Sequence, residues 1–250
     1  MSTTSTAYFV SGGNRGLGFG IVSALAKRPN TTIFATARDP TKATDLQTLA
    51  KSNPNVHILK LESASVSDAK AAAEYIQKTT GGLDIVIANA GISDSYYNAL
   101  ETPVEVLESH FHVNVTGPLV LFQNLYPLLK ARQTRKFVVI STGLASIKST
   151  PELFAGAPVL GYGTSKAALN YVARIIHSEH HKEGFIVFPL NPGWVDTDMG
   201  RLGAETLLGP GQRPPVTVEQ SVEGQLRIID GATAESSGRF LSFDGEEWAW

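Results

Sequence analysis

The chain of 250 residues contains no cysteine, and no part of it is a long apolar run. The absence of cysteine excludes disulfides, thiolate catalysis and zinc–thiolate sites, and it gives no support for an oxidising compartment. No run approaches the roughly 18 apolar residues that a membrane-spanning helix needs. We therefore predict a soluble protein of the cytoplasm that does not contact a membrane.

A strong charge of either sign is also missing, because 21 basic and 23 acidic residues leave a net charge of −2. This balance offers no field that would attract nucleic acid, so nucleic acid is not predicted as a partner. Residues 1–6 lack the basic and apolar regions of a signal peptide, and we expect a polar tail there. His180 and His181 are adjacent on a predicted helix and point apart, so no metal site is expected. A surface position is predicted for His110 and His112, with a place at the mouth of the ligand site as the alternative.

The sequence does contain a regular alternation of short apolar segments with longer amphipathic ones. The predicted strands lie at 7–11, 32–37, 56–61, 83–90, 136–141, 184–190 and 239–242, and the predicted helices at 16–27, 41–51, 67–79, 103–130, 162–182 and 217–229. Strands that are apolar on both faces are typical of a parallel sheet covered on both sides. The predicted fold class is therefore α/β, a doubly wound Rossmann-type parallel sheet with helices on both faces, in a single domain over residues 1–250.

Three segments look irregular, at 91–102, 143–161 and 196–216. Each follows the carboxyl end of a predicted strand, which is where ligands bind in sheets of this kind. Their apolar and aromatic residues suit an apolar or aromatic ligand.

A glycine-rich turn, SGGNRGLG (11–18), follows the first predicted strand and opens the first helix. Gly12 permits a tight turn, while Gly16 and Gly18 let the backbone approach a pyrophosphate at a helix N-terminus. The spacing differs from G-x-G-x-x-G, because Asn14 and Leu17 occupy two of those positions. A plain strand-to-helix turn is the alternative interpretation.

Basic residues near this turn indicate which dinucleotide is bound. A NAD site usually carries an acidic residue after the second strand, whereas this chain has Arg38. The guanidinium of Arg38 can bind a ribose 2′-phosphate, and Arg15 adds a second cation. We therefore predict NADP(H) as the cofactor, with a surface pair between Arg38 and Asp39 as the competing interpretation.

The segment YGTSK places Tyr162 and Lys166 four residues apart, on one face of a predicted helix. A neighbouring ammonium is expected to lower the pKa of the phenol, which would then exchange a proton with a carbonyl oxygen. An exposed Tyr–Lys pair on an amphipathic helix is the alternative.

Taken together, these motifs resemble the short-chain dehydrogenase/reductase family. The matching segments are GGNRGLG (12–18), ANAG (88–91), HVNVTG (112–117), YGTSK (162–166) and NPGWVDTDMG (191–200), in the order the family has them. The tail SSGRFLSFDGEEWAW is similar to the carbonyl-reductase-like branch, and within it to fungal norsolorinic acid ketoreductases.

This resemblance implies a catalytic set of Tyr162, Lys166, Asn114 and a hydroxyl after the fifth strand. Alignment of the strand puts Thr142 at the hydroxyl position, with Ser141 as the rival and Ser146 as a more remote one. Asn114 is implied to hold a water that relays protons to Lys166.

The resemblance also implies the cofactor contacts. Asn89 would line the adenine ribose, Glu62 would lie near the adenine, and Val195 with Thr197 would bind the nicotinamide carboxamide. The full implied set is Gly12, Asn14, Arg15, Gly16, Leu17, Gly18, Arg38, Glu62, Ser63, Asn89, Ala90, Gly91, Tyr162, Lys166, Pro192, Gly193, Val195 and Thr197.

The activity implied is NADPH-dependent reduction of a small-molecule ketone, with Tyr162 as proton donor. A catalytically silent NADP(H)-binding redox sensor is the alternative. The resemblance implies pairing through the long helices that hold Asn114 and Tyr162, which would give a homodimer or homotetramer, with a monomer, as in some carbonyl reductases, as the alternative.

Overall fold

Residues 5–250, the part that the computed structural model describes, contain one sheet of seven parallel strands. The strands are β1 (Thr6–Val10), β2 (Thr31–Ala37), β3 (Val56–Lys60), β4 (Ile85–Ala88), β5 (Lys136–Ile140), β6 (Ile186–Asn191) and β7 (Leu241–Ser242). Their spatial order is β3-β2-β1-β4-β5-β6-β7. The order reverses between β1 and β4, so a crevice opens at the carboxyl ends of these two strands.

Helices cover both faces of this sheet, which confirms the predicted fold class. They are α1 (Gly16–Ala26), α2 (Thr44–Ser52), α3 (Val66–Thr80), α4 (Val104–Phe111), α5 (Gly117–Lys130), α6 (Thr150–Leu153), α7 (Leu160–His180), α8 (Asp198–Leu208) and α9 (Val218–Gly231). α1 and α9 pack on one face, while α3, α5 and α7 pack on the other.

β1 illustrates why the strands are apolar throughout. Tyr8 and Val10 belong to the core beneath α1 and α9, whereas Ala7 and Phe9 belong to the core beneath α3, α5 and α7. Successive side chains of a strand point to opposite faces, so a sheet covered on both sides buries every position.

The predicted helix at 103–130 is interrupted, since α4 and α5 are separated by a π-helical turn at His112–Thr116. The widened turn contains Asn114, which is fully buried and bonds across to the backbone of Ile92. Pro118 follows at the start of α5, and because the backbone stays helical from α4 through the π-helical turn, its missing N–H removes one hydrogen bond there. The side chain of Asn114 therefore competes with regular helix for this turn.

Two segments predicted as irregular contain helices. α8 lies within 196–216 and is capped by Thr197, whose hydroxyl accepts a hydrogen bond from Gly200 N at 3.1 Å. α6 lies within 143–161, and α7 begins at Leu160, two residues earlier than predicted. The predicted tail at 1–6 ends earlier as well, because Thr6 already belongs to β1, and residues 1–4 lie outside the described residues.

Within the described part of the chain, we find no helix with the length and apolar character needed to cross a membrane.

Candidate active site

The glycine turn and the segment after β4 pack together at the point where the strand order reverses. The amide nitrogens of Asn89 and Ala90 both donate to the hydroxyl of Ser11 at 2.9 Å, and Asn89 Nδ2 donates to the carbonyl of Ser11 at 2.9 Å. Gly12 has a φ of +66°, and a Cβ there would come within 3.1 Å of Ala90 Cα. Only glycine fits this turn without strain.

Two further glycines shape the floor of the crevice. A Cβ on Gly18 would collide with the carbonyl oxygen of Gly12, and Gly16 has a φ of +53°. A Cβ on Gly16 would lie 3.5 Å from the methyl group of Thr197. The glycine turn therefore faces the Thr197 loop across a narrow gap, with the N-terminus of α1 between them.

The basic residues lie at the mouth of this crevice. Arg15 is exposed, and the Arg38 side chain is 76% exposed, with Nε 3.8 Å from a carboxylate oxygen of Glu62. Asp39 accepts a hydrogen bond from Thr41 N at 3.0 Å and pairs with Lys42 at 3.4 Å. These contacts, led by the bonds from Thr41, hold the pKa of Asp39 below its usual value. The competing Arg38–Asp39 pair is therefore not the arrangement found.

A cavity beside the crevice is lined by other residues that were predicted to bind the cofactor. Its lining includes Glu62, Ser63 and Ala90, together with the start of α5. On the opposite side, the loop after β6 contains Gly193, with a φ of +80°, and the buried Val195. The predicted cofactor residues thus lie along both walls of one cleft, whereas their roles stay predictions.

α7 brings Tyr162 and Lys166 to the inner end of this cleft. Lys166 is 4% exposed, and its Nζ lies 5.9 Å from the centre of the Tyr162 ring. Tyr162 is half-buried, and the side chain of Thr142 faces its phenol closely enough to lower the pKa of the phenol. A phenol, a hydroxyl and an ammonium therefore converge at one point.

Burial is the main cause of the pKa shifts of Tyr162 and Lys166. It raises the pKa of Tyr162 well above its usual value, Tyr96 raises this pKa further, and the facing Thr142 side chain offsets part of the increase. Burial lowers the pKa of Lys166 to about 8. Desolvation of the phenolate thus outweighs the neighbouring lysine, contrary to the expected lowering of the phenol pKa.

The hydroxyls after β5 point in different directions. Ser141 is 1% exposed and donates to Asn170 Oδ1 at 2.6 Å, inside the protein. Ser146 is fully buried and donates to Ser149 Oγ at 2.9 Å. Thr142 alone among these three faces the phenol of Tyr162. The resemblance left the catalytic hydroxyl open between Thr142 and Ser141, and the geometry favours Thr142.

Asn114 joins the loop after β4 to α7. Its Oδ1 accepts from Ile92 N at 2.8 Å, and its Nδ2 donates to Ile92 O at 3.0 Å and to Ser165 Oγ at 3.0 Å. A Cβ on Gly91 would lie 3.0 Å from Asn114 Oδ1 and 3.3 Å from Lys166 Nζ. The amide is thus committed to protein partners, and the water relay stays a prediction.

Three further residues make contacts near the site. Tyr96 raises the pKa of Tyr162, and the ring of Trp248 lies against Gly143, next to Thr142. His110 is fully buried, so its predicted surface position is wrong. Tyr96 lies in the predicted segment 91–102 and Trp248 in the C-terminal tail, but their contacts join residues that are remote in sequence, so only the structure reveals them.

Comparisons with known proteins agree with this arrangement. A family model described as short chain dehydrogenase matches residues 6–206. An uncharacterized oxidoreductase of Schizosaccharomyces pombe is 37% identical over 252 residues, covering 98% of both chains. The norsolorinic acid ketoreductase of Aspergillus parasiticus is 36% identical over 253 residues, covering 98% of this chain and 91% of that protein. The NADPH-bound carbonyl reductase from chicken fatty liver has a TM-score of 0.89 at 32% identity, covering 99% of this chain and 100% of that one.

Proposed function

The chain belongs to the short-chain dehydrogenases, and from that premise we propose that it is an NADPH-dependent ketoreductase. Its proposed substrate is a small apolar or aromatic ketone, including ketones of the polyketide type. The observation that carries the proposal is the convergence of Thr142, Tyr162 and Lys166 at the inner end of the glycine-lined cleft. The names of the carbonyl reductase and ketoreductase relatives support the same reaction class.

The residues of the cleft fit a phosphorylated dinucleotide. The missing Cβ of Gly16 leaves room for a pyrophosphate at the N-terminus of α1, and the missing Cβ of Gly18 lets α1 pack against the carbonyl of Gly12. Arg15 and Arg38 are exposed at the mouth and would hold the 2′-phosphate by charge-assisted hydrogen bonds. Glu62 and Ser63 would contact the adenine end, while Val195 and Thr197 would hold the carboxamide end.

NADPH, when bound, supplies the hydride that the carbonyl carbon accepts. Tyr162 gives its phenolic proton to the carbonyl oxygen, so the product is an alcohol. Its raised pKa keeps the phenol protonated at neutral pH, which is the state a proton donor requires. Thr142 donates a hydrogen bond to the same oxygen and stabilises the charge that develops there. Lys166, with a pKa of about 8, returns a proton to the phenolate.

The walls of the cleft support an apolar substrate. Tyr96 and Trp194 both approach Gly203 of α8, where a Cβ would lie 3.2 Å from the Tyr96 hydroxyl and 3.9 Å from Trp194 Nε1. Leu202 and Leu208 on the same helix are 44% and 57% exposed. Aromatic rings and exposed leucines at a cleft suit a ketone that carries an aromatic or aliphatic body.

The test is the loss of NADPH absorbance with a panel of aromatic and aliphatic ketones. We expect turnover by the natural sequence, no turnover by Tyr162→Phe, and NADPH binding by both. Turnover by Tyr162→Phe would contradict the proposed proton donor. NADPH binding without oxidation across the whole panel would favour the redox sensor instead. The homo-oligomeric state and the cytoplasmic location stay predictions.

A further inference from the structure

His110 lies in the interior between α4 and the start of α7. It is fully buried, and its Nδ1 lies 2.8 Å from the carbonyl oxygen of Val106, one turn earlier in α4. A Cβ on Gly161 would come 3.4 Å from the same nitrogen. Gly161 immediately precedes Tyr162, so the imidazole supports the turn of α7 that holds the proposed proton donor.

The hydrogen bond between Nδ1 of His110 and Val106 determines whether Nε2 of the same ring can act as a donor. A carbonyl oxygen only accepts, so Nδ1 carries the hydrogen and Nε2 of a neutral ring is a bare acceptor. Nε2 is buried and has no hydrogen-bond partner among the described residues. It lies 3.8 Å from Oδ1 of Asp94, which is also an acceptor. Only the protonated ring can offer Nε2–H to this carboxylate.

Asp94 belongs to the loop at 91–97, which borders the reaction centre. Tyr97 forms a parallel bridge with Val159, directly before α7. Tyr96 reaches α8 at Gly203 and acts electrostatically on Tyr162. Asp94 precedes Tyr96 by two residues, so a contact that holds Asp94 would also restrict how the loop presents Tyr96 to the space in front of the phenol.

We propose that His110 and Asp94 form a positioning tether, in which the protonated imidazole holds the 91–97 loop against the start of α7 and completes the ketone-binding wall. The tether rests on the proposed ketoreductase function. Both are positioning residues, since neither is placed at the reacting atoms. Asp94 presents the carboxyl group that faces Nε2 from the loop, while Val106 of α4 and Gly161 of α7 present groups that do not titrate. Tyr162, next to Gly161, is the nearest titratable group along α7.

The kinetic test compares KM for acetophenone at pH 6 and pH 8, an interval in which histidine side chains commonly lose their proton. We expect KM of the natural sequence to rise about threefold, the size typical of a partly exposed ion pair. Asp94→Ala should show the higher KM at both pH values. Asp94→Asn should show the lower KM at both, because an amide can donate to the bare Nε2 and accept from its protonated form.

Two further variants complete this comparison. His110→Gln places an amide nitrogen near Nε2, which donates to Asp94 at any pH, so its KM should not change with pH. Glu101→Gln removes one negative charge from an exposed position seven residues after Asp94 and should keep the pH dependence of the natural sequence. Equal KM values for Asp94→Ala and the natural sequence at pH 6 would overturn the positioning role. Because Asp94 is exposed, this result does not depend on His110→Gln folding.

A second measurement needs no turnover. Nitrogen-15 NMR of the full chain at pH 6 should show a slowly exchanging Nε2–H signal that His110→Gln removes and Asp94→Ala broadens. If this signal depends on Asp94 but no ketone is reduced, the ketoreductase function is refuted while the contact between His110 and Asp94 is supported. If ketones are reduced but Asp94→Ala leaves the signal and KM unchanged, the tether is overturned and the ketoreductase function stands.

Discussion

Lys166 donates a hydrogen bond from Nζ to the carbonyl oxygen of Ile140, 2.7 Å away at the end of β5. The contact ties the centre of α7 to the strand that leads into Thr142, and Gly91 leaves the space for it. A lysine held in this way is cut off from water, which is why burial lowers its pKa to about 8. Lys166, the proposed proton source for Tyr162, is therefore held in place by a strand of the central sheet.

The rate of ketone reduction should fall as the pH rises through about 8. Below this value Lys166 is protonated and can restore the proton of Tyr162, whereas above it the neutral amine cannot. Tyr162 remains protonated over the same range, because its pKa is raised. The measurement is kcat at saturating NADPH from pH 6 to pH 10. Lys166→Arg stays charged throughout and should lack the decline, while a flat profile of the natural sequence would contradict this role.

Stability should depend on pH through the same residue. Folding lowers the pKa of Lys166 from 10.5 to about 8, so the unfolded chain binds more protons between these values. The natural sequence should therefore gain stability relative to Lys166→Met as the pH rises from 8 towards 10.5. The change is about 3 kcal/mol over the full interval. Urea unfolding of both proteins at pH 7.5 and pH 10 measures it, and a constant difference would refute it.

Arg38→Ala should raise KM for NADPH about tenfold and leave KM for NADH nearly unchanged. A hydrogen bond between a guanidinium and a phosphate contributes about 1.5 kcal/mol at an exposed site, and NADH has no 2′-phosphate. Steady-state kinetics with both cofactors checks the prediction. Lys42→Ala, another exposed cation close to Asp39, is the matched control and should change neither value. Equal losses with both cofactors would count against the phosphate contact.

Thr142 and Ser141 should respond differently to loss of their hydroxyls. Thr142→Val is expected to lower kcat by about a hundredfold, because it removes a hydrogen bond to the developing oxyanion, while Thr142→Ser retains activity. Ser141→Ala removes the buried bond to Asn170 and should cost about 1–3 kcal/mol of stability. Kinetics and urea unfolding on the same three variants separate the two effects. The reverse pattern would assign the catalytic hydroxyl to Ser141.

Gly143→Ala should impair both folding stability and turnover, because its Cβ would lie 2.5 Å from the Trp248 ring. Relieving such an overlap requires shifts that cost about 1–3 kcal/mol, and here they would displace the neighbouring Thr142. The double variant Gly143→Ala with Trp248→Leu should recover part of the loss. Melting temperature and kcat of the two single variants and the double variant form the test. Strictly additive losses would show that the two residues do not act through this contact.

Much of the fold could be predicted from the sequence because its signals are local. Apolar strands such as Ile85–Ala88 and Lys136–Ile140 stand out from the amphipathic helices around them. α8 was missed because Gly200 and Gly203 weaken the local helical signal, although contacts with Trp194 and Tyr96 favour small residues there. The π-helical turn was missed because its cause, Ile92, lies 22 residues away from Asn114.

By itself, the sequence determined the layout of the sheet, the glycine turn and the pairing of Tyr162 with Lys166 on one helix. These features depend on residue type and on spacing along the chain, and both can be read directly. Only the tertiary structure decided that Thr142 faces the phenol while Ser141 turns inward, that His110 is buried, and that desolvation raises the pKa of Tyr162. Burial and hydrogen-bond direction arise from segments far apart in sequence, and no local pattern encodes them.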